Sequence, residues 1–272
     1  MKKYYLFIAL AMVAGMTVSC KNNKKAEADA EVVEAAKTIL ADDVLATLDE
    51  IAKPFIDDAG KVEAQQIIAV NLTDKEKLVK PDYLLDPNEA SNFVTKSQKL
   101  NALAVLLIER TIREAYGMPV DETEDVIAHL VVDLNFPISF DNMDKMSISE
   151  RAAETYKQYK ERNDLASFWQ FQFALVSESA YLVSRNPDIF FRNITEEQFA
   201  IYNNRVFSCN SAVRELAKYD EEVAAAFKVF EENRYVGTRE EAMELYSSLT
   251  SAKQTIIDSK DLIAARRAAL LK

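Results

Sequence analysis

The chain has 272 residues, 49% of them hydrophobic and 28% charged, the balance of a globular protein rather than of a fibrous or disordered one. Its formal net charge of −11 repels phosphate backbones and anionic lipid faces, so nucleic acid is not expected as a partner. Only 4 glycines are present, too few for the turns of an all-β fold, and Gly60, Gly117 and Gly237 each follow a helical pattern where a left-handed cap suits glycine. The expectation is an all-α protein, an antiparallel up-and-down helical bundle of about eight helices.

The first element is a leader. Lys2 and Lys3 precede the apolar run Tyr4 to Ala14, and the segment closes on Thr17-Val18-Ser19-Cys20. Its apolar core is shorter than the roughly 20 residues a permanent membrane span needs. The ending resembles the lipobox of bacterial lipoprotein precursors, with Thr17 where that motif usually carries leucine. The resemblance implies cleavage after Ser19, a diacylglycerol on the Cys20 thiol, and a protein lipid-anchored in the cell envelope, in the outer membrane rather than the inner. The alternative is an ordinary secretory signal ending beside an incidental cysteine. Residues 20–30 are polar and small and read as a flexible tether, leaving 31–272 as a single all-helical domain with a candidate subdivision near 135–147.

Helical periodicity begins at Glu31, and Pro54 is expected to end or kink that helix near Lys53. A short amphipathic segment, Lys61 to Leu72, precedes a capping box at Thr73 and Glu76. Asn88 to Tyr116 gives the strongest helix of the first half. Its stretch from Ala102 to Ile108 is apolar on every side, which makes 98–116 the central buried helix and 102–108 its most buried part. Just beyond, Glu109 with Arg113 and Arg110 with Glu114 have the spacing of surface ion pairs. A shorter helix opens at Asp121. The loop from Asn135 to Asp144 carries Phe136 and Phe140, and the next helix, capped by Ser147 or Ser149, is expected to break at Asn163-Asp164 with Asp164 as an N-cap. Leu165 to Arg185 holds the only tryptophan. Trp169 to Phe173 alternate like a strand, but the flanking residues continue in helical period, so the segment reads as helix. After the loop Asn186 to Ile194, Thr195 with Gln198 opens a helix to about Lys218, Asp220 caps a shorter one, and Thr238 with Glu241 opens a last helix to about Leu271.

Sites with recognisable chemistry are few. Asp125 and His129, the single histidine, share a helix face and are the weak metal candidates; a zinc site wants three or four ligands, so a surface hydrogen bond explains the pair as well. Adjacent carboxylates such as Asp42-Asp43 and Glu196-Glu197 diverge around a helix and are read as solvated faces or complements to helix N-termini. No serine elbow, P-loop or dinucleotide fingerprint is found, and no cofactor is expected. Cys209 is expected to be buried. The candidate partner site is a patch of Phe136, Phe140, Ile189, Phe190 and Phe191, brought to one end of the bundle if the chain reverses at 163–164; the alternative is that both loops fold inward and plug the core. The expected function is a lipid-anchored module that binds a protein or glycan without catalysis. A structural envelope protein and a carboxylate-based hydrolase of envelope glycans are the alternatives.

Overall fold

A computed structural model describes residues 40–232 and 248–272. The leader, Cys20, the tether, the start of the helix from Glu31, Gly237 and the capping box at Thr238 lie outside the described residues. What is described is all-helical. In chain order the helices are α1 (Asp42–Asp57), α2 (Ala64–Asn71), α3 (Asp74–Lys77), α4 (Pro87–Ser91), α5 (Lys96–Ala115), α6 (Asp121–Asp133) and α7 (Phe140–Met143). They continue with α8 (Ile148–Glu161), α9 (Leu165–Arg185), α10 (Pro187–Phe190), α11 (Glu196–Leu216), α12 (Glu221–Glu232), α13 (Leu249–Asp258) and α14 (Lys260–Leu270).

Fourteen helices among the described residues exceed the expected eight or so, and two features account for four of them. Segments read as loops contain short helices, α7 and α10. Two runs read as single helices are divided. Asn88 to Tyr116 splits because Thr95 and Gln98 form a capping box of their own, which starts α5 afresh. The run to Leu271 is interrupted at Ser259, which ends α13 and begins α14. Capping boxes at Thr73 and Thr195 stand where the sequence puts them, Ser147 rather than Ser149 caps α8 and does so through a box with Glu150, and Asp220 accepts from the N–H groups of Glu222 and Val223 as a cap. Asp164 does not cap α9. Its carboxylate takes the Ser167 hydroxyl and the Lys96 ammonium instead. Nor does Pro54 end α1, which runs on to Asp57 and buries Phe55 in its last turn.

Three helices end on a left-handed residue, Gly117 (φ 64°), Asn135 (φ 45°) and Asn163 (φ 51°). Each end is closed by two backbone hydrogen bonds, for α8 from Asn163 N–H to the Lys160 carbonyl and from Asp164 N–H to the Tyr159 carbonyl. This closure carries an apolar contact between the residue after the left-handed one and the last turn. At Asn135 the Phe136 N–H closes on the Val131 carbonyl of α6, and the Phe136 ring is buried against Tyr159 and Phe171.

Helices α5 and α9 pack along each other and pass through both apolar clusters of the molecule. Leu103, Leu106, Phe168 and Trp169 belong to the first; Ile112, Leu182 and Val183 belong to the second. Residues 102–106 are wholly buried, so the central helix lies where its apolar run predicts. Leu107 is the exception within that run and is only partly buried. Trp169 is enclosed by Phe55 at 5.3 Å and Phe168 at 5.1 Å between ring centroids. Around this axis α9 also packs on α2, α8, α11 and α14, and α5 on α2 and α6. Among the described residues no helix is long and apolar enough to cross a membrane.

Candidate functional site

Leu107 faces a cleft of about 360 Å³. Three helices line it with residues one turn apart: Leu107, Arg110, Thr111 and Glu114 from α5; Ile148, Arg151, Ala152 and Thr155 from α8; Gln172, Leu175, Val176 and Ser179 from α9. Phe136, Ile138, Phe140 and Met143 from the loop around α7 form an apolar wall, and α2 and α11 close the remainder with Glu63, Gln65 and Arg205.

The polar groups in this lining fall into two sets. Glu63 holds Arg205 at 2.5 Å, and the Arg205 guanidinium stacks 5.0 Å from the Phe55 ring. Arg110 holds Glu124 at 2.7 Å, Asp144 at 3.1 Å and Glu114 at 3.5 Å, and lies 5.5 Å over Phe140. These groups pair with one another, although the Nε atoms of Arg110 and Arg205 are buried without a hydrogen bond. The second set does not: Gln172 is 4% exposed, Thr155 3% and Ser179 7%, and none of their side chains bonds any other among the described residues. Gln65 Oε1 is buried without a hydrogen-bond partner. Arg151 has no carboxylate within ion-pair distance among the described residues, its Nε is buried and unbonded, and burial pulls its pKa below the ordinary arginine value. Polar side chains that line one cleft without bonding one another, beside a buried and unbonded Gln65 Oε1, are a reason to look for a ligand there.

No known family, curated protein or solved structure matches this chain.

The aromatic residues of the candidate partner site do not form an exposed patch. Phe136, Ile189 and Phe190 are buried, and Phe140 and Phe191 are partly buried. Nor do the two loops share a cluster. Phe136 packs on Phe171 at 5.0 Å in the first, while Phe190 packs on Phe191 at 5.0 Å and Tyr202 at 5.5 Å in the second. Their side chains pack in or against the two apolar clusters instead. Phe136 and Phe140 nevertheless help to line the cleft. Asp125 and His129 are exposed on α6, and among the described residues no group of three or more His, Cys, Asp or Glu is placed to hold a metal. Cys209 is fully buried and free, and burial pushes its thiol well above the ordinary range.

A second polar cluster was hidden in the sequence. Glu109 and Glu178 have no solvent exposure, and Arg267 from α14 reaches both, Nη2 at 2.9 Å from Glu109 and Nε at 3.0 Å from Glu178. Glu109 also accepts from the Leu85 N–H at 2.8 Å, while Glu178 Oε1 has no partner. The expected surface pair of Glu109 with Arg113 is therefore replaced: Arg113 donates to the Leu85 carbonyl at 2.6 Å. One guanidinium faces two carboxyls, which favours the protonated form of one of them. Burial and the Glu178 charge push Glu109 well above the usual carboxylate range, and burial raises Glu178 as well. This cluster does not line the cleft. The sequence offered one signal for it, a glutamate on the apolar register of each of the two most buried helices.

Proposed function

We propose that the protein is a lipid-anchored binding protein of a bacterial envelope, attached through Cys20, whose helical body holds a small ligand in the cleft between α5, α8 and α9. The observation that carries the ligand reading is the polar lining: the Gln172, Thr155 and Ser179 side chains bond no other described residue, Gln65 Oε1 is buried and unbonded, and Arg151 has no ion-pair partner among the described residues. A purely structural envelope role gives these groups nothing to bind. Glycan hydrolysis wants two free carboxyls across an open cleft, whereas Glu63, Glu114 and Asp144 are each held by an arginine. The anchor rests on the lipobox-type ending alone. The architecture this reading assumes is an antiparallel up-and-down bundle, supported by the closed reversals at Gly117 and Asn163. A protein or glycan partner would then contribute a fragment small enough for the cleft.

Two measurements test the proposal. The first is fractionation of cells carrying Cys20→Ala: release of the protein from the membrane pellet supports the anchor, and retention like wild type overturns it. The second is titration of the folded protein with the fluorescent dye ANS. Saturable binding that is lost when Gln172→Phe fills the cleft supports the ligand reading; equal binding by the filled variant, with unchanged circular dichroism, removes it.

A further inference from the structure

We infer that the ligand is an amphipathic anion, a carboxylate or phosphate on an apolar body, with its charged head on Arg151. This rests on the cleft reading above and adds the chemical class. The cleft's own carboxylates are consumed: Glu63 by Arg205, Glu114 and Asp144 by Arg110. Arg151, half-buried on α8, is left as the cation of the lining with no carboxylate within 4.0 Å among the described residues, the charges of Asp144 and Glu63 acting on it only from farther off. A guanidinium removed from bulk water without an anion is costly, and its planar fork fits the paired oxygens of a carboxylate or phosphate. Gln172, 4% exposed and unbonded, offers an amide that can donate to a further head oxygen, and the Ser179 and Thr155 hydroxyls offer two more donors. Phe171, Leu175 and Ile138 supply a wall that a hydrocarbon chain or ring can bury itself against. The body's charge of −11 repels anions at a distance. Selectivity must then come from the head contact itself, which makes one side chain decisive.

The test is calorimetric titration with decanoate, decyl phosphate, decanamide and decylamine, all below their micelle concentrations, against wild type, Arg151→Gln, Arg151→Lys and Arg151→Glu. Circular dichroism on each variant checks the fold. The expected result is that decanoate or decyl phosphate binds wild type about tenfold or more tighter than decanamide, the worth of a charge-assisted hydrogen bond. Arg151→Gln should abolish that preference, Arg151→Lys should retain part of it, and Arg151→Glu should turn it toward decylamine. If only one of the two anions binds, the inference holds and the head group is named. If decanamide binds as well as the anions and Arg151→Gln changes nothing, the anion inference is overturned while the cleft reading stands. If none of the four binds folded wild type, both fall. Should Arg151→Gln fail to fold, Arg151→Lys decides, because it keeps the charge and removes the fork.

Discussion

Glu109 and Arg113 have the spacing of a helix-surface pair, and so have Arg110 and Glu114. The structure keeps the second, at 3.5 Å, and takes the first apart. Spacing is a local property, whereas the partner that claims Glu109 lies 158 residues further on, so no window of sequence shows which face of α5 will meet α14. The consequence is a pH dependence. In the unfolded chain both glutamates ionise near the ordinary value of 4.5; in the fold Glu109 keeps its proton above that value. As pH rises past 4.5 the unfolded chain releases a proton that the folded chain retains, so stability falls, by up to about 1.4 kcal/mol per unit, until the raised pKa is passed. The groups facing the pair are Arg267, the Leu85 N–H and Tyr181, whose ring lies 4.9 Å from the Arg267 guanidinium. Glu109→Gln keeps the shape of the protonated acid and removes the titration. Its stability in denaturant melts is expected to improve relative to wild type as pH rises above 4.5 toward the raised pKa; a difference that is flat with pH would show that the pair holds no proton. Glu76 has the opposite sign. The Arg192 guanidinium and the Thr73 cap hold its carboxyl down at about 2, so its contribution is present above 4.5 and lost as pH falls toward that value.

At the scale of elements, helix starts were legible because a cap is written within four residues: Thr73 and Thr195 act as read, and Ser147 is the one of two candidate serines that caps α8. Helix ends were legible where an asparagine or glycine can turn left-handed. Asn163 at φ 51° makes the break between α8 and α9, and Asn163→Ala is expected to cost about 1–2 kcal/mol, with Asn163→Gly near neutral. Equal costs in thermal unfolding would mean that the backbone angle is not what asparagine supplies. The direction of the loop side chains was not legible, because the closure that turns Phe136 inward depends on where α6 stops. Within α5 the apolar run predicts a helix buried all round, and periodicity alone gave no sign that Leu107 opens on a cleft. Leu106→Ala should therefore cost about 2–5 kcal/mol, as in a close-packed centre, and Leu107→Ala less than half as much because its site is already partly open. Equal losses in denaturant melts would mean that the cleft is closed in solution.

At the scale of the whole molecule, glycine poverty and helical period were enough for the all-helical class, since both are averages over the chain. The cleft was not legible, because Arg151, Gln172 and Thr111 belong to three helices and each looks ordinary on its own. The centre has one further property, which follows from the order in which a ribosome makes it. Glu109 and Glu178 leave the ribosome first, and Arg267 follows Glu178 by 89 residues, about 5–20 s of synthesis at typical rates. Until α14 emerges, packing α5 against α9 would enclose two acidic groups with no cation, so the growing chain has reason to stay open. A chain stopped at Asp258 is expected to lack a cooperative thermal transition and to be cut readily by protease, and Glu109→Gln with Glu178→Gln should restore part of its resistance. On this expectation α14 is a clasp on nascent-chain folding: α5 and α9, made well before it, close on each other when it arrives with the charge they need.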